Sequence, residues 1–145
     1  MKKRILIVDD SGAIRSLVSF ILGTAGYKVI EAVNGKDALD KLHDNEPEMI
    51  ITDLRMPNMD GMEFAIELRK KEQYKHLPLV MLTSEFQGYK STEGQRAGVN
   101  EWMAKPFIAR QLLNTVNRLC AGHCTSQSTG VYKTGPDYKY YADCN

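Results

Sequence analysis

The chain has 145 residues, 43% of them apolar and 26% charged, which is the composition of one globular domain rather than of a disordered or fibrous segment. Nineteen basic residues face eighteen acidic ones for a formal charge of +1, so the broad basic footprint that drives non-specific nucleic-acid binding is excluded. The opening Met1-Lys2-Lys3-Arg4 and Ile5 to Val8 imitates a secretion signal, but Asp9-Asp10 ends the apolar run at once, and no stretch approaches the roughly 20 apolar residues that cross a bilayer. The expectation is a soluble, cytoplasmic protein that binds neither nucleic acid by this domain alone nor a membrane.

Read for period, the body alternates short apolar runs with longer segments of helical spacing, and each join carries Gly, Pro, Asp or Asn. The first strand is expected over Arg4–Val8. A helix follows in which Ile14, Leu17, Val18, Ile21 and Leu22 form one apolar stripe. A second strand over Lys28–Ala32 leads to a helix marked by Ala38, Leu39 and Leu42. The third strand, Met49–Asp53, precedes a helix marked by Phe64, Ala65 and Leu68. After a fourth strand at residues 79–82, the segment 87–97 is weakly apolar and holds Gly88 and Gly94, so its helix preference is low and it is expected to be the most mobile helix. The fifth strand, Glu101–Ala104, leads to a helix marked by Ile108, Leu112, Val116 and Leu119. The first, third and fourth strands are nearly all apolar, as strands covered on both faces are, and are placed at the centre of the sheet. Five β-α units joined in this way imply right-handed crossovers and one doubly wound parallel sheet with helices on both faces.

The pattern stops near residue 122, which divides the chain into a domain at 1–122 and a tail at 123–145. Termini usually fray, yet the tail carries Tyr132, Tyr138, Tyr140 and Tyr141, and aromatic residues are rare in disordered segments. We expect the tail to dock on a surface, its own or a neighbour's. The three cysteines, Cys120, Cys124 and Cys144, all lie at this end, so the body is no disulfide framework and fits a reducing compartment. His123 beside them supplies another zinc-ligand type, but Cys-x₃-Cys without a second matched pair reads as the end of a helix plus tail.

In an open parallel sheet, ligands bind where the carboxyl ends of the strands gather. Those ends carry Asp9 and Asp10 after the first strand, Asp53 closing the third, Thr83 after the fourth and Lys105 after the fifth. Taken singly, each has a structural explanation: Asp10 or Ser11 caps a helix, Thr83 ends a strand, Lys105 is a solvated charge. Taken together, three converging carboxylates repel and raise each other's pKa values unless a cation sits among them. An oxygen-only ligand set selects a hard ion, and Mg²⁺ fits because it accepts a few carboxylates plus waters. A lysine and a hydroxyl opposite suit a phosphoryl group. Asp53, ionised at neutral pH, is itself a nucleophile and needs no general base to form an acyl phosphate.

Asp9-Asp10, Asp53-Leu54-Arg55-Met56-Pro57 with Asp60-Gly61, Thr83-Ser84 and Lys105-Pro106-Phe107 occur in an order and spacing that resembles the receiver domain of two-component response regulators, of the CheY-like single-domain type. The likeness covers residues 1 to about 121. It implies a flavodoxin-like (βα)₅ fold with strand order 2-1-3-4-5, for which the CheY protein is a standing example. It implies further that Asp53 is the phosphoacceptor, that Asp10, Asp53 and the backbone carbonyl of Arg55 bind Mg²⁺ directly, and that Asp9 reaches the ion through water. Lys105 is then the partner of the phosphoryl oxygens, and the Lys105-Pro106 bond is cis. Thr83 is the switch hydroxyl, and Trp102 holds the aromatic switch position three residues before the lysine.

Trp102 is larger than the Tyr or Phe common at that position, so coupling to the output surface is expected to be weaker or differently shaped. Arg55 and Glu85, two residues beyond Asp53 and Thr83, carry opposite charges. We expect them to pair across the site and slow loss of the phosphoryl group. An exposed pair of this kind is otherwise worth about 0–1 kcal/mol and has no kinetic role.

The resulting expectation is a signalling switch rather than a turnover enzyme, catalysing only its own aspartyl phosphorylation and dephosphorylation. Its donor is a sensor histidine kinase, a phosphotransfer domain or a small molecule such as acetyl phosphate. Its target docks on the fourth helix, fifth strand and fifth helix, in a chemotaxis-type or other pathway, with the chain a monomer or a phosphorylation-dependent dimer. Alternatives are a receiver excised from a longer regulator and a phosphorylation-independent interaction domain. A flavin site is disfavoured because Asp9-Asp10 repels phosphate. A haloacid-dehalogenase-type phosphatase is disfavoured because Ser11 stands where its second aspartate belongs.

Overall fold

The structure, a computed structural model, describes residues 2–84 and 97–121. Five strands form one parallel sheet: β1 (Arg4–Val8), β2 (Lys28–Ala32), β3 (Met49–Asp53), β4 (Leu79–Thr83) and β5 (Glu101–Ala104), in the order β2-β1-β3-β4-β5. β1, β3 and β4 occupy the centre and are buried almost throughout, whereas the edge strand β2 buries only Ala32 fully. Continuous apolar sequence therefore coincides with strands covered on both faces. β4 runs one residue beyond the expected end and takes in Thr83.

The sheet separates two cores. On one face α1 (Gly12–Thr24) and the helix at Ala109–Cys120 cover Ile5, Ile7, Ile51, Leu82 and Met103. On the other, α2 (Gly35–Asn45) and α3 (Gly61–Arg69) cover Leu6, Val8, Ile50 and Leu79. Alternation of side chains across the strands produces this division. The starts of α1, α2 and α3 are each set by a short polar residue: Ser11, Asn34 and Asp60 accept hydrogen bonds from Ile14, Asp37 and Glu63 N–H groups.

Two stripe residues depart from the expected burial. Leu17 is 46% exposed and Ile108 60%, because the buried face of α1 narrows to Val18, Ile21 and Leu22 and Ile108 is the N-cap of its helix, not part of it. The helix expected at 87–97 lies outside the described residues except for Ala97, which is buried in the second core. The tail at 123–145, with His123, Cys124 and Cys144, is likewise outside them. Among the described residues no helix is long and apolar enough to cross a membrane.

Candidate functional site

The β1 ladder ends in a turn whose first residue stays in the sheet: the Asp9 N–H donates to the Ala32 carbonyl of β2 at 3.1 Å. The Asp9 carboxylate is buried and held on both oxygens, Oδ1 accepting from the Ser11 N–H at 2.8 Å and Oδ2 from Lys105 Nζ at 3.0 Å. Asp10, next in the turn, is exposed. Ser11, rather than Asp10, caps α1.

Asp53 ends β3 beside β1 and β4, in register with Leu82, so Thr83 stands one residue further along the neighbouring strand. Its Oδ1 accepts from the Leu54 N–H at 2.9 Å and lies 3.1 Å from Lys105 Nζ. The chain then reverses. Gly61 N–H donates to the Leu54 carbonyl at 2.8 Å, and Asp60 caps α3. A Cβ at position 61 would lie 2.3 Å from the Asp53 carbonyl oxygen and 2.7 Å from Met81 Sδ, so only glycine lets α3 begin against the strand end.

Lys105 follows β5. Its N–H donates to the Thr83 carbonyl at 2.9 Å, and the Lys105-Pro106 peptide is cis. Its ammonium thus bridges Asp9 and Asp53, residues of different strands brought together only by the order of the sheet. Carboxylate oxygens of Asp9, Asp10 and Asp53 all lie within 4.8 Å of one another. The donors are all oxygen and the anionic charge exceeds that of the single lysine, which fits a hard divalent cation.

Burial pushes the Asp53 carboxyl above the ordinary carboxylate value, and the Asp9 charge adds to the push; Lys105 and the Leu54 N–H pull it back without cancelling the effect. For Lys105, burial favours the neutral amine, but the hydrogen bonds and charges of Asp9 and Asp53 together outweigh it and raise the pKa. The lysine is therefore firmly cationic, while Asp53 is under electrostatic pressure that a second cation would relieve.

Thr83 is buried at the end of β4. Trp102 is half-buried on the edge strand β5, in register with Met81. Arg55 is exposed in the turn after β3, and its partner in the expected pairing, Glu85, lies outside the described residues.

Two charged arrangements escaped the sequence reading. Arg15, one turn into α1, donates from Nη1 to the Asp9 carbonyl at 2.7 Å, with Nε 3.4 Å from Glu31 Oε1. A cation this close to a helix N-terminus opposes the macrodipole, and that conflict is the signal that it has a partner elsewhere. At the start of β5, Glu101 accepts from Arg118 Nη2 on both oxygens, at 2.5 and 2.6 Å, with the two side chains 4% and 13% exposed. An acid opening a short apolar strand was the only hint of that pair.

This fold, with its acidic cluster at the carboxyl ends of the strands, defines a receiver-type α/β domain. The family model for the response regulator receiver domain matches residues 5–117, and the chain belongs to that family. Among solved structures, it is similar to the chemotaxis response regulator CheY4 of Vibrio cholerae, with 41% identity, TM-score 0.78 and coverage of 82% of this chain and 99% of that one. A putative response regulator from Chloroflexus aurantiacus shares 32% identity with TM-score 0.78, covering 83% and 99% of the respective chains. The response regulator TrrA of Thermotoga maritima, solved in complex with Mg²⁺-BeF, shares 34% identity with TM-score 0.73, covering 81% and 98%.

Proposed function

We propose that the chain is a phosphorylation-activated response regulator in two-component signalling, taking a phosphoryl group from a sensor histidine kinase or phosphotransfer domain onto Asp53. The observation that carries this reading is the Lys105 ammonium seated between Asp9 and Asp53 with Asp10 alongside. In the transfer, an Asp53 carboxylate oxygen forms a bond to phosphorus as the bond to the donor imidazole nitrogen, or to acetate oxygen, breaks and its electron pair leaves with the donor. Lys105 neutralises a phosphoryl oxygen as charge develops. Asp9, Asp10, Asp53 and the Arg55 carbonyl are the residues that would hold Mg²⁺, which supplies charge neutralisation at the phosphoryl oxygens when bound. The Mg²⁺-BeF complex of the Thermotoga relative supports that choice of ion.

The chain acts as a switch and not as a turnover enzyme. New contacts of the phosphoryl group with the Thr83 hydroxyl and with Lys105 supply the free-energy difference between two states. Trp102 and the 109–120 helix carry the change to a protein target in the cytoplasm. Acetyl phosphate with Mg²⁺ tests the reading. Intact-mass spectrometry is expected to show one added phosphoryl group on the wild type and none on Asp53→Ala, with a change in Trp102 fluorescence. No mass gain, together with no fluorescence response to beryllofluoride, would overturn it.

A further inference from the structure

Asp9 is fixed at its N–H by Ala32, at one carboxylate oxygen by Ser11 and at the other by Lys105. Its remaining polar atom, the backbone carbonyl, belongs to the planar peptide that joins Asp9 to Asp10. Whatever holds that oxygen sets the tilt of the plane, and with it the direction in which the exposed Asp10 leaves the strand. The holder is Arg15, whose Nη1 donates to it at 2.7 Å. Arg15 is itself constrained twice, by its backbone N–H donating to the Ser11 carbonyl at 3.0 Å and by Glu31 of β2.

Glu31 sits in register with Ile7 on the neighbouring strand, and its own carbonyl accepts from Lys41 Nζ of α2 at 2.7 Å. Lys41 in turn pairs with Asp37 at 3.0 Å, and Asp37 accepts from the Val33 N–H at 3.0 Å. The guanidinium therefore ties the acidic turn to the edge strand and to the start of α2 through one continuous set of polar contacts. The planar fork of arginine satisfies two acceptors in different directions, which an ammonium does less well.

We propose that Arg15 is a positioning residue for the divalent-cation site, holding the Asp9-Asp10 peptide plane so that both carboxylates converge with Asp53. The proposal rests on the assignment of a Mg²⁺ site to these acids. Its test exploits a conflict of sign. As a mere charge near the site, Arg15 repels a cation, and its removal tightens Mg²⁺ binding. As a positioning group, its removal weakens binding.

Mg²⁺ titration by calorimetry, without phosphoryl donor, is expected to give a dissociation constant raised threefold or more in Arg15→Met. In Arg15→Lys, which keeps the charge and loses the fork, a smaller rise is expected. Amide exchange at Ser11, whose N–H donates to Asp9, is expected to quicken in both variants. Should Arg15→Met not fold, the lysine variant alone decides, since a charge effect leaves its affinity unchanged. Affinity equal to or tighter than wild type in the folded variants overturns the positioning role. No Mg²⁺ binding by the wild type overturns the site assignment itself and the proposal with it.

Discussion

β5 is flanked by charged groups at both ends, and the two ends differ in stoichiometry. At its first residue, Glu101 meets Arg118 with both carboxylate oxygens engaged, the acid buried and the arginine half-buried. After its last residue, Lys105 is shared by Asp9 and Asp53, with Asp10 within the same cluster. That pair matches one acid with one base and ties a strand to a helix. The unbalanced cluster sets three carboxylates against one lysine, an excess of negative charge that a bound cation would offset. Burial raises the carboxyl pKa in both places; what separates the ion pair from the proposed phosphoryl site is the uncompensated charge.

The largest effect that would break this contrast is expected at Lys105. Lys105→Met should reduce phosphoryl uptake from acetyl phosphate by roughly a hundredfold, the typical loss for one preorganised donor, measured as the rate of mass gain at saturating Mg²⁺. If uptake were unaffected, the shared lysine would be no more functional than Arg118.

Arg118→Met addresses the other end. It leaves Glu101 buried without its guanidinium partner and should destabilise the fold by about 3 kcal/mol at pH 8, read by urea denaturation, while Asp53 still accepts a phosphoryl group. The penalty depends on pH. Burial pushes the Glu101 carboxyl up to about 7, against the pull of Arg118 and above the ordinary 4.5. The folded state therefore binds the proton more tightly than the unfolded one. The stability from that proton is full below about pH 4.5 and is lost as pH rises through about 7. At pH 5, where the carboxyl is largely protonated, the loss in Arg118→Met should shrink to roughly half. An equal loss at both pH values would show that packing of the arginine stem, not charge, ties the two elements.

The smallest effect is expected away from both ends. Phe20, 71% exposed on α1, should change stability by less than about 0.5 kcal/mol when replaced by serine. A larger loss in chemical denaturation would mean that the outward face of α1 is covered in solution.

Much of this was legible in local pattern. The central strands announce themselves by unbroken apolar runs, and Asp53, Thr83 and Lys105 follow from reading what stands at the strand ends. The DG at positions 60 and 61 was visible as a motif, but its reason was not, since the 2.3 Å approach of a Cβ to the Asp53 carbonyl exists only when α3 folds back on β3. Leu17 illustrates the opposite error: helical spacing places it on the stripe, yet α1 buries only Val18, Ile21 and Leu22 fully and leaves Leu17 46% exposed. Arg15 and the Glu101–Arg118 pair join residues 6 and 17 positions apart through side chains of no distinctive type, so spacing carries no trace of them.

The strands, their order of apolarity and the residue types at their ends are written in the local pattern, because periodicity and residue type act over a few neighbours. Which of those charges share a partner is fixed by the folded arrangement alone. That choice depends on distances across strands from residue 9 to residue 105, and a carboxylate's neighbours in space, not in sequence, set its protonation, its pairing and its capacity to receive a cation.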